Sequence, residues 1–147
     1  MTAALYASSR NNSAHLIAYF KDENLGRLLK SHCPTVEYTP SVAVEMLAKA
    51  AMDPGSSMLH HQLLNVEEGM TQYSISYPQE QTASQAGKLF SAFKQYHDAI
   101  LIGVTDAHNQ NLIINPKFDE DVQPGSKLYY IADERIENFD WGRMHVQ

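Results

Sequence analysis

The sequence predicts an α/β protein in two parts, a βαβα lobe with parallel strands and then a small α+β lobe with a mainly antiparallel sheet. The run at 15–20, HLIAYF, is apolar on both faces, as a strand covered by helices on both sides must be. Short strands and helices then alternate up to residue 52. After residue 69 the pattern changes to a strand with one polar face, followed by an amphipathic helix and further short strands.

Composition limits the class of protein. The chain has 147 residues and a formal net charge of −6, which suits one ordinary hydrophobic core or two small ones. It contains no run of about 18 apolar residues, and its N-terminus lacks the basic and apolar regions of a signal peptide. Its single cysteine, Cys33, fits a reducing cytoplasm, and its acidic balance argues against a nucleic acid partner. We therefore expect a cytoplasmic protein that does not span a membrane.

The first lobe is predicted to begin with a helix over residues 2–10. That helix has no capping residue and no strand before it, as if part of the unit were missing upstream. The apolar strand at 15–20 follows, and a second strand is expected at 35–39, TVEYT. A helix between two such strands predicts a parallel βαβ unit.

The helix between these strands has a clear start and end. Asp22 is placed to accept hydrogen bonds from its free N-terminal amides, and Pro34 stops it. Its predicted buried face consists of Leu25, Leu28 and Leu29.

The third helix, at 42–52, is apolar on more than one side. Ser41 is its predicted N-cap, and the Asp-Pro-Gly sequence at 53–55 ends it. One stripe consists of Ala43, Met46, Leu47 and Ala50. A second consists of Val42, Val44 and Ala51. The second stripe either faces another subunit or is buried between two layers of one protein, and the sequence leaves both alternatives open.

Under the first alternative, this helix and the short amphipathic segment at 56–64 form a dimer interface. The residues predicted to lie in it are Val42, Met46, Leu47, Ala50, Met58, Leu59 and Leu63.

The second lobe is predicted to follow a boundary at 67–69, Glu-Glu-Gly. A strand at 70–77 alternates apolar and polar residues, and in the helix after it an apolar face recurs at i, i+3, i+4 and i+7. That face consists of Ala86, Leu89, Phe90 and Phe93. Thr82 and Gln85 have the spacing of a capping box. This face is predicted to be buried, so Phe90→Ala should cost about 3–5 kcal/mol of stability.

Three more strands complete the predicted lobe. Strands at 99–104 and 111–114 are joined by a polar turn, and Pro124-Gly125 supplies the turn before a final strand, KLYYIA, at 127–132. The expected result is one helix packed on a small antiparallel sheet.

Several side chains with possible chemistry have simpler explanations. The adjacent His60 and His61 point about 100° apart on a helix, which makes a shared metal difficult. The turn residues Asp106, His108 and Asn109 are suited to a cation but also to local hydrogen bonds. The acidic run 118–121 is most simply a solvated loop.

A catalytic role is not predicted. Cys33 follows His32 directly, whereas a nucleophile needs a base held across a cleft. The sequence shows no serine elbow, paired carboxylates or phosphate loop. We therefore predict no catalytic residue, no metal site and no enzymatic activity.

The order of these motifs resembles one regulatory family. In the second lobe, ILIGV, LIINP, an acidic patch, QPGSKLYYIA and DERI follow one another as in the C-terminal subdomain of RCK (regulator of K⁺ conductance) or TrkA-type domains. In the first lobe, HLIAYF, ENLGRLLKSH and VEYTPSVAVEMLAKAAM resemble the second half of the Rossmann-like N-terminal subdomain of that family. The resemblance covers about residues 1–136.

The resemblance implies three segments. Residues 1–66 correspond to the C-terminal half of a Rossmann-like subdomain with its crossover helices, and residues 67–136 correspond to a TrkA-C-like subdomain. Residues 137–147 form a tail beyond the family-like region. It is either a short helix docked, through Trp141, on the second lobe or on a neighbouring subunit, or disordered.

The resemblance also implies a function. Such domains are cytoplasmic regulators of potassium channels or transporters that dimerise, assemble into rings beneath the membrane pore, and couple the binding of a small molecule or ion to pore opening. The alternative is a stand-alone small-molecule-binding or dimerisation module without a channel.

The chain departs from the family at two ligand sites. It contains no GxGxxG turn, so we do not expect the usual pyrophosphate cradle, and the cofactor, if any, is not identified. Calcium-gated relatives carry carboxylates at the end of the strand that resembles HLIAYF. Here that position reads Tyr19, Phe20 and Lys21, with Asp22 and Glu23 next to it, so no calcium site is expected there.

Overall fold

A computed structural model describes residues 2–10, 15–40, 42–65 and 69–142. Contacts within the chain divide it into two compact units, Met1–Ser57 and Met58–Gln147. The first unit consists of α1 (Thr2–Arg10), β1 (Ile17–Phe20), α2 (Glu23–His32), β2 (Glu37–Pro40) and α3 (Ala43–Met52). Strands β1 and β2 are parallel, with Ile17 opposite Glu37, so the predicted βαβα order is confirmed.

Helix α2 starts where the sequence predicts but buries a different face. The Asp22 carboxylate accepts a hydrogen bond from the Asn24 backbone N at 2.9 Å. Leu29 is fully buried, as predicted, whereas Leu25 and Leu28 are 41% and 43% exposed, so their predicted burial is wrong. The cause is Gly26: a β-carbon there would lie 2.4 Å from the Tyr38 ring. The helix therefore approaches β2 along the row formed by Gly26 and Leu29.

Strand β1 has one covered face. Ile17 and Tyr19 are more than half exposed, while Ala18 and Phe20 are half-buried. The expectation that both faces are buried is therefore wrong for this unit, whose sheet has two strands in the described part of the chain.

Helix α3 begins one residue later than its predicted cap. Its N-cap residue is Val42, because the first intrahelical bond runs from the Met46 amide to the Val42 carbonyl at 2.9 Å. The valine side chain has no acceptor atom and makes no capping bond. The prediction of Ser41 as the N-cap is therefore wrong, and Ser41 itself lies outside the described residues.

The second unit contains one long helix and a four-stranded sheet. Helix α4 (Ser56–Leu64) spans the junction between the units. It is followed by β3 (Thr71–Ser76), β4 (Ser84–Gln85), α5 (Ala86–His97), β5 (Ile100–Thr105), β6 (Leu112–Ile114), β7 (Asp121–Val122) and β8 (Lys127–Ala132). The sheet order is β3-β8-β5-β6, every neighbour is antiparallel, and β4 pairs with β7 separately. The predicted antiparallel sheet is confirmed.

The division between the units lies before the predicted boundary at 67–69. The Thr71 hydroxyl donates to the Leu63 carbonyl at 2.7 Å, which attaches the end of α4 to β3. Residues 66–68 lie outside the described residues, and the domain limits remain predictions.

The core of the second unit lies between α5 and the sheet. The aromatic ring of Phe93 is 5.3 Å from that of Tyr130 and 4.8 Å from that of Phe139. Phe90 is only half-buried and contacts the ring of Phe118 at 5.6 Å. The fully buried large side chains of this core are Tyr77, Leu89, Phe93, Leu128 and Tyr130.

The start of α5 is capped by distant backbone. The first helical amides, those of Ala86 and Gly87, donate to the carbonyls of Glu120 and Phe118, both at 2.9 Å. Gln85 occupies the N-cap position without a side-chain capping bond, and it pairs with Asp121 in the β4–β7 ladder. The predicted capping box of Thr82 and Gln85 is therefore wrong, because carbonyls from another segment already satisfy the helix end.

Part of the tail packs on this core. Phe139 is 8% exposed, its ring stacks on that of Trp141 at 4.1 Å, and Trp141 contacts the Tyr77 ring at 5.3 Å. Of the two alternatives for the tail, docking therefore applies to residues up to Trp141. Residues 143–147 lie outside the described part of the chain.

Candidate functional site

The apolar residues predicted for an interface on α3 are largely exposed. Val42 and Leu47 are 47% and 73% exposed, while Met46 and Ala50, one turn apart, are half-buried. Val44 is exposed as well, and α3 buries no residue completely. The half-buried pair marks the packed side of the helix. Leu47 therefore lies on the side that is available to a partner.

The predicted interface residues on α4 divide in the same way. Met58 and Leu59 are 76% and 60% exposed, and Leu63 is half-buried. The predicted interface thus contributes one exposed apolar surface in each unit, and its role in association remains a prediction.

The two histidines of α4 do not form a metal centre with other described residues. His60 is half-buried and its Nδ1 has no hydrogen-bond partner, whereas His61 is exposed. Over residues 2–10, 15–40, 42–65 and 69–142, no three His, Cys, Asp or Glu side chains come together in an arrangement that could hold a metal ion.

The turn after β5 uses its polar side chains for local hydrogen bonds. The Asp106 carboxylate accepts from the backbone N of His108 and of Gln110, at 3.1 and 2.9 Å, and from the Asn111 side-chain amide at 2.6 Å. These donors, with the Gln110 amide first, lower the pKa of Asp106. Asn109 takes a left-handed backbone conformation with a φ of 57°. Of the two explanations for this turn, a cation site and local hydrogen bonds, the geometry supports local hydrogen bonds.

The acidic segment 118–121 also has a structural role. Its carbonyls at Phe118 and Glu120 cap α5, and Asp121 belongs to β7. The contribution of this segment to the fold is therefore made by its backbone rather than by its carboxylates.

The carboxylates near β1 and the histidine beside Cys33 have local partners. Cys33 is a half-buried free thiol at the C-cap of α2, and the neighbouring His32 ring is hydrogen-bonded to the Leu28 carbonyl. Asp22 caps α2, and Glu23 pairs with Arg27 at 2.8 Å.

The second unit contains an apolar groove that was not predicted from the sequence. Its volume is about 490 Å³. Its residues come from α5, the start of β5 and the loop after β6, so no single periodic pattern marks it. The signals in the sequence are the aromatic Phe118 next to an acidic run and the Asn115-Pro116 dipeptide, which follows β6. The groove is lined by Phe90, Lys94, Ala99, Ile100, Leu101, Asn115, Pro116, Lys117 and Phe118.

A second, more polar depression lies where the tail meets the end of α5. His97 lines it, and its ring lies 4.7 Å from the ring of Phe139 at a tilted angle. Burial lowers the pKa of His97. Asp98, Asp133, Glu134 and Arg135 also line it.

Comparison with known proteins identifies the fold. No protein-family model and no curated protein matches the sequence. Among solved structures, the human SLO3 gating ring matches 88% of this chain with a TM-score of 0.65 at 10% sequence identity. The chain has the fold of an RCK domain. The predicted resemblance to RCK domains and the predicted α/β fold class are confirmed at this level.

Two further matches of lower similarity are structures of GsuK, one of its RCK domain and one of the channel. The GsuK RCK domain matches 90% of this chain with a TM-score of 0.41 at 14% identity, and the GsuK channel bound to NAD matches 90% with a TM-score of 0.42 at 12% identity. This RCK-like chain spans only 28% of the SLO3 chain and 23% of that GsuK channel chain. Among the residues described here, no helix is both long and apolar enough to cross a membrane.

Proposed function

We propose that this chain belongs to a cytoplasmic regulatory, or gating, domain of a potassium channel or potassium transporter. The observation that carries the proposal is the fold shared with the human SLO3 gating ring over 88% of the chain. The side chains with possible chemistry agree with a regulatory rather than a catalytic role. Asp22, Asp106 and His32 are each engaged in local hydrogen bonds that stabilise turns or helix ends.

The proposed mechanism is association of several copies, whose arrangement changes when an effector binds. An effector can shift such an equilibrium only if its affinity differs between the two arrangements. Copies must therefore contact one another through a surface that tolerates rearrangement. The free energy that opens the pore is the difference between the effector's binding free energies in the two arrangements.

The exposed apolar surface of α3 is where we place one subunit contact. Val44, Leu47 and Met52 are each more than 70% exposed, and a helix that exposes several large apolar side chains is typical of a surface that binds another protein. Burying Leu47 would contribute about 1.5–3 kcal/mol in each subunit, and therefore roughly twice that in a two-fold symmetric dimer.

A charge on this surface tests the proposal. We expect the wild-type chain to sediment as a dimer and Leu47→Glu to weaken dimerisation by at least about 100-fold, which corresponds to the two lost contacts. Leu47 is a better choice than Met46, which is half-buried and would also affect folding. Met58→Glu, on the exposed part of α4, tests the second half of the predicted interface in the same way.

The matched control is Leu25→Glu. Leu25 lies on α2, in the same unit, and is 41% exposed. Its replacement by glutamate introduces the same charge outside the predicted interface. Sedimentation equilibrium should show a dimer for this variant. A Leu47→Glu dimer as stable as that of the control, or a wild-type chain that stays monomeric at millimolar concentration, would contradict the proposed interface.

The second candidate is a stand-alone small-molecule-binding module, which the apolar groove in the second unit favours. The coding sequence upstream of residue 1 discriminates between the two. Pore helices with a potassium-selectivity filter support a channel, a complete Rossmann half without a pore supports a separate transporter subunit, and an upstream sequence with neither supports a free module.

A further inference from the structure

We infer that the groove between α5 and the loop after β6 binds an amphiphilic organic anion, a carboxylate carried on a hydrocarbon body. This inference goes beyond the proposed gating function and names a ligand class for the groove that favours the second candidate. It concerns the second unit alone and holds with or without an attached channel.

The size and lining of the groove suit a small molecule. Its volume of about 490 Å³ lies within the range of small-ligand pockets, which is roughly 300–1,000 Å³. Phe90, Ala99 and Leu101 form its apolar interior, while Ile100 and Phe118 are 54% and 72% exposed beside it. A hydrocarbon chain in the groove would remove this apolar surface from water, which is favourable in proportion to the area covered.

Hydrogen bonds and ring contacts hold the walls of the groove in place. The Asn115 backbone N donates to the Ile102 carbonyl at 2.8 Å, and the buried Pro116 follows it. The Phe118 carbonyl accepts from the Gly87 backbone N at 2.9 Å, and a β-carbon at Gly87 would lie 2.4 Å from the Phe118 ring. A ligand therefore enters a groove that is already formed, so little binding energy is lost to ordering the protein.

The charge of the lining selects an anion. The charged residues that line the groove are Lys94 and Lys117, and no described lining residue is acidic, although the chain as a whole has a net charge of −6. Lys94 is paired with Asp98 on the same helix end. Lys117 forms no ion pair within the part of the chain that the structure describes, so it is available to a carboxylate headgroup.

The test measures the binding of decanoate to the full chain by two-dimensional ¹⁵N–¹H NMR titration below the micellar concentration. Decanol and decyltrimethylammonium have the same hydrocarbon chain with neutral and positive headgroups. We expect decanoate to bind at least about tenfold more tightly than either, since the other two probes cannot make the charge-assisted contact between a carboxylate and Lys117. Its shifts should be concentrated at residues 90–101 and 115–118.

Two lysine variants locate the headgroup. Lys117→Glu should weaken decanoate binding by at least about tenfold, because the cation is replaced by a repelling charge. Lys88→Glu is the matched control: Lys88 is exposed on α5 and does not line the groove, so the same change in net charge should leave affinity unchanged. Both residues are exposed, and unchanged thermal midpoints will show that both variants fold.

Three outcomes would overturn the inference. They are equal affinity for the three probes, shifts spread over the surface away from the groove, and equal loss of affinity in the Lys117→Glu and Lys88→Glu variants. A monomeric chain that binds decanoate in this way supports the inference while contradicting the proposed dimer, so the two proposals fail separately.

Discussion

Replacing Phe93 with alanine should remove the centre of the core in the second unit. The side chain is fully buried, and its ring contacts those of Tyr130 and Phe139 at 5.3 and 4.8 Å. Large-to-small changes of a buried Phe cost about 3–5 kcal/mol in total, and the loss of two aromatic pairs places Phe93→Ala in the upper part of that range. We therefore expect a loss of about 4–5 kcal/mol in the free energy of unfolding of this unit.

Urea unfolding followed by tryptophan fluorescence measures this loss. The chain has one tryptophan, Trp141, and its ring stacks on that of Phe139, so the signal reports on the second unit. With an m-value near 1.5 kcal/mol per molar urea, the expected shift in the midpoint is roughly 3 M. If Phe93→Ala does not fold, Phe93→Leu keeps most of the volume and should cost less than about 2 kcal/mol.

Phe90→Ala is the matched comparison on the same helix. Because Phe90 is half-buried and contacts one ring, that of Phe118, its cost should be about 1–2 kcal/mol rather than the 3–5 kcal/mol expected for a fully buried side chain. Equal costs for Phe90→Ala and Phe93→Ala, or a larger cost for Phe90→Ala, would refute the assignment of Phe93 to the centre of this core.

Two further predictions concern single hydrogen-bonding groups. The Tyr130 hydroxyl accepts from the Ile136 backbone N at 2.9 Å, so Tyr130→Phe leaves that amide without its partner and should cost about 1–3 kcal/mol. Hydrogen exchange at Ile136 should accelerate in this variant, and unchanged protection would contradict the role of the bond. The lowered pKa of Asp106 means that its contribution to stability is present above the unfolded pKa of about 4 and is lost as pH falls through the lower folded value. Thermal midpoints between pH 2 and 6 should therefore fall less steeply for Asp106→Asn than for wild type, and parallel curves would count against this linkage.

Periodicity predicted the elements of the second unit well, because each is governed by neighbours in sequence. The apolar residues at i, i+3, i+4 and i+7 in α5 include the buried Ala86, Leu89 and Phe93, and the turn at Pro124-Gly125 places Gly125 at a φ of 88°. The Asp22 cap of α2 is equally local, since its carboxylate binds an amide two residues away.

The predictions that were wrong concern contacts between distant segments. Thr82 and Gln85 have the spacing of a capping box, but the start of α5 is satisfied by carbonyls more than thirty residues further along the chain. Leu25 and Leu28 look like core residues on α2, but Gly26 against Tyr38 decides which side of the helix approaches the sheet. Neither effect has a signature within a short window of sequence.

By itself, the sequence determined the order of the helices and of the longer strands, the parallel and antiparallel lobes and the resemblance to RCK domains, because these depend on local periodicity, turn residues and motif order. The short β4–β7 pair was not predicted. Tertiary structure alone decided which apolar faces are covered, that Phe139 and Trp141 join the core, and that α5 and the loop after β6 enclose a groove with two lysines. The physical reason is that burial and electrostatic surroundings depend on segments that are distant in sequence and close in space. A short stretch of sequence does not show which distant segments will contact it.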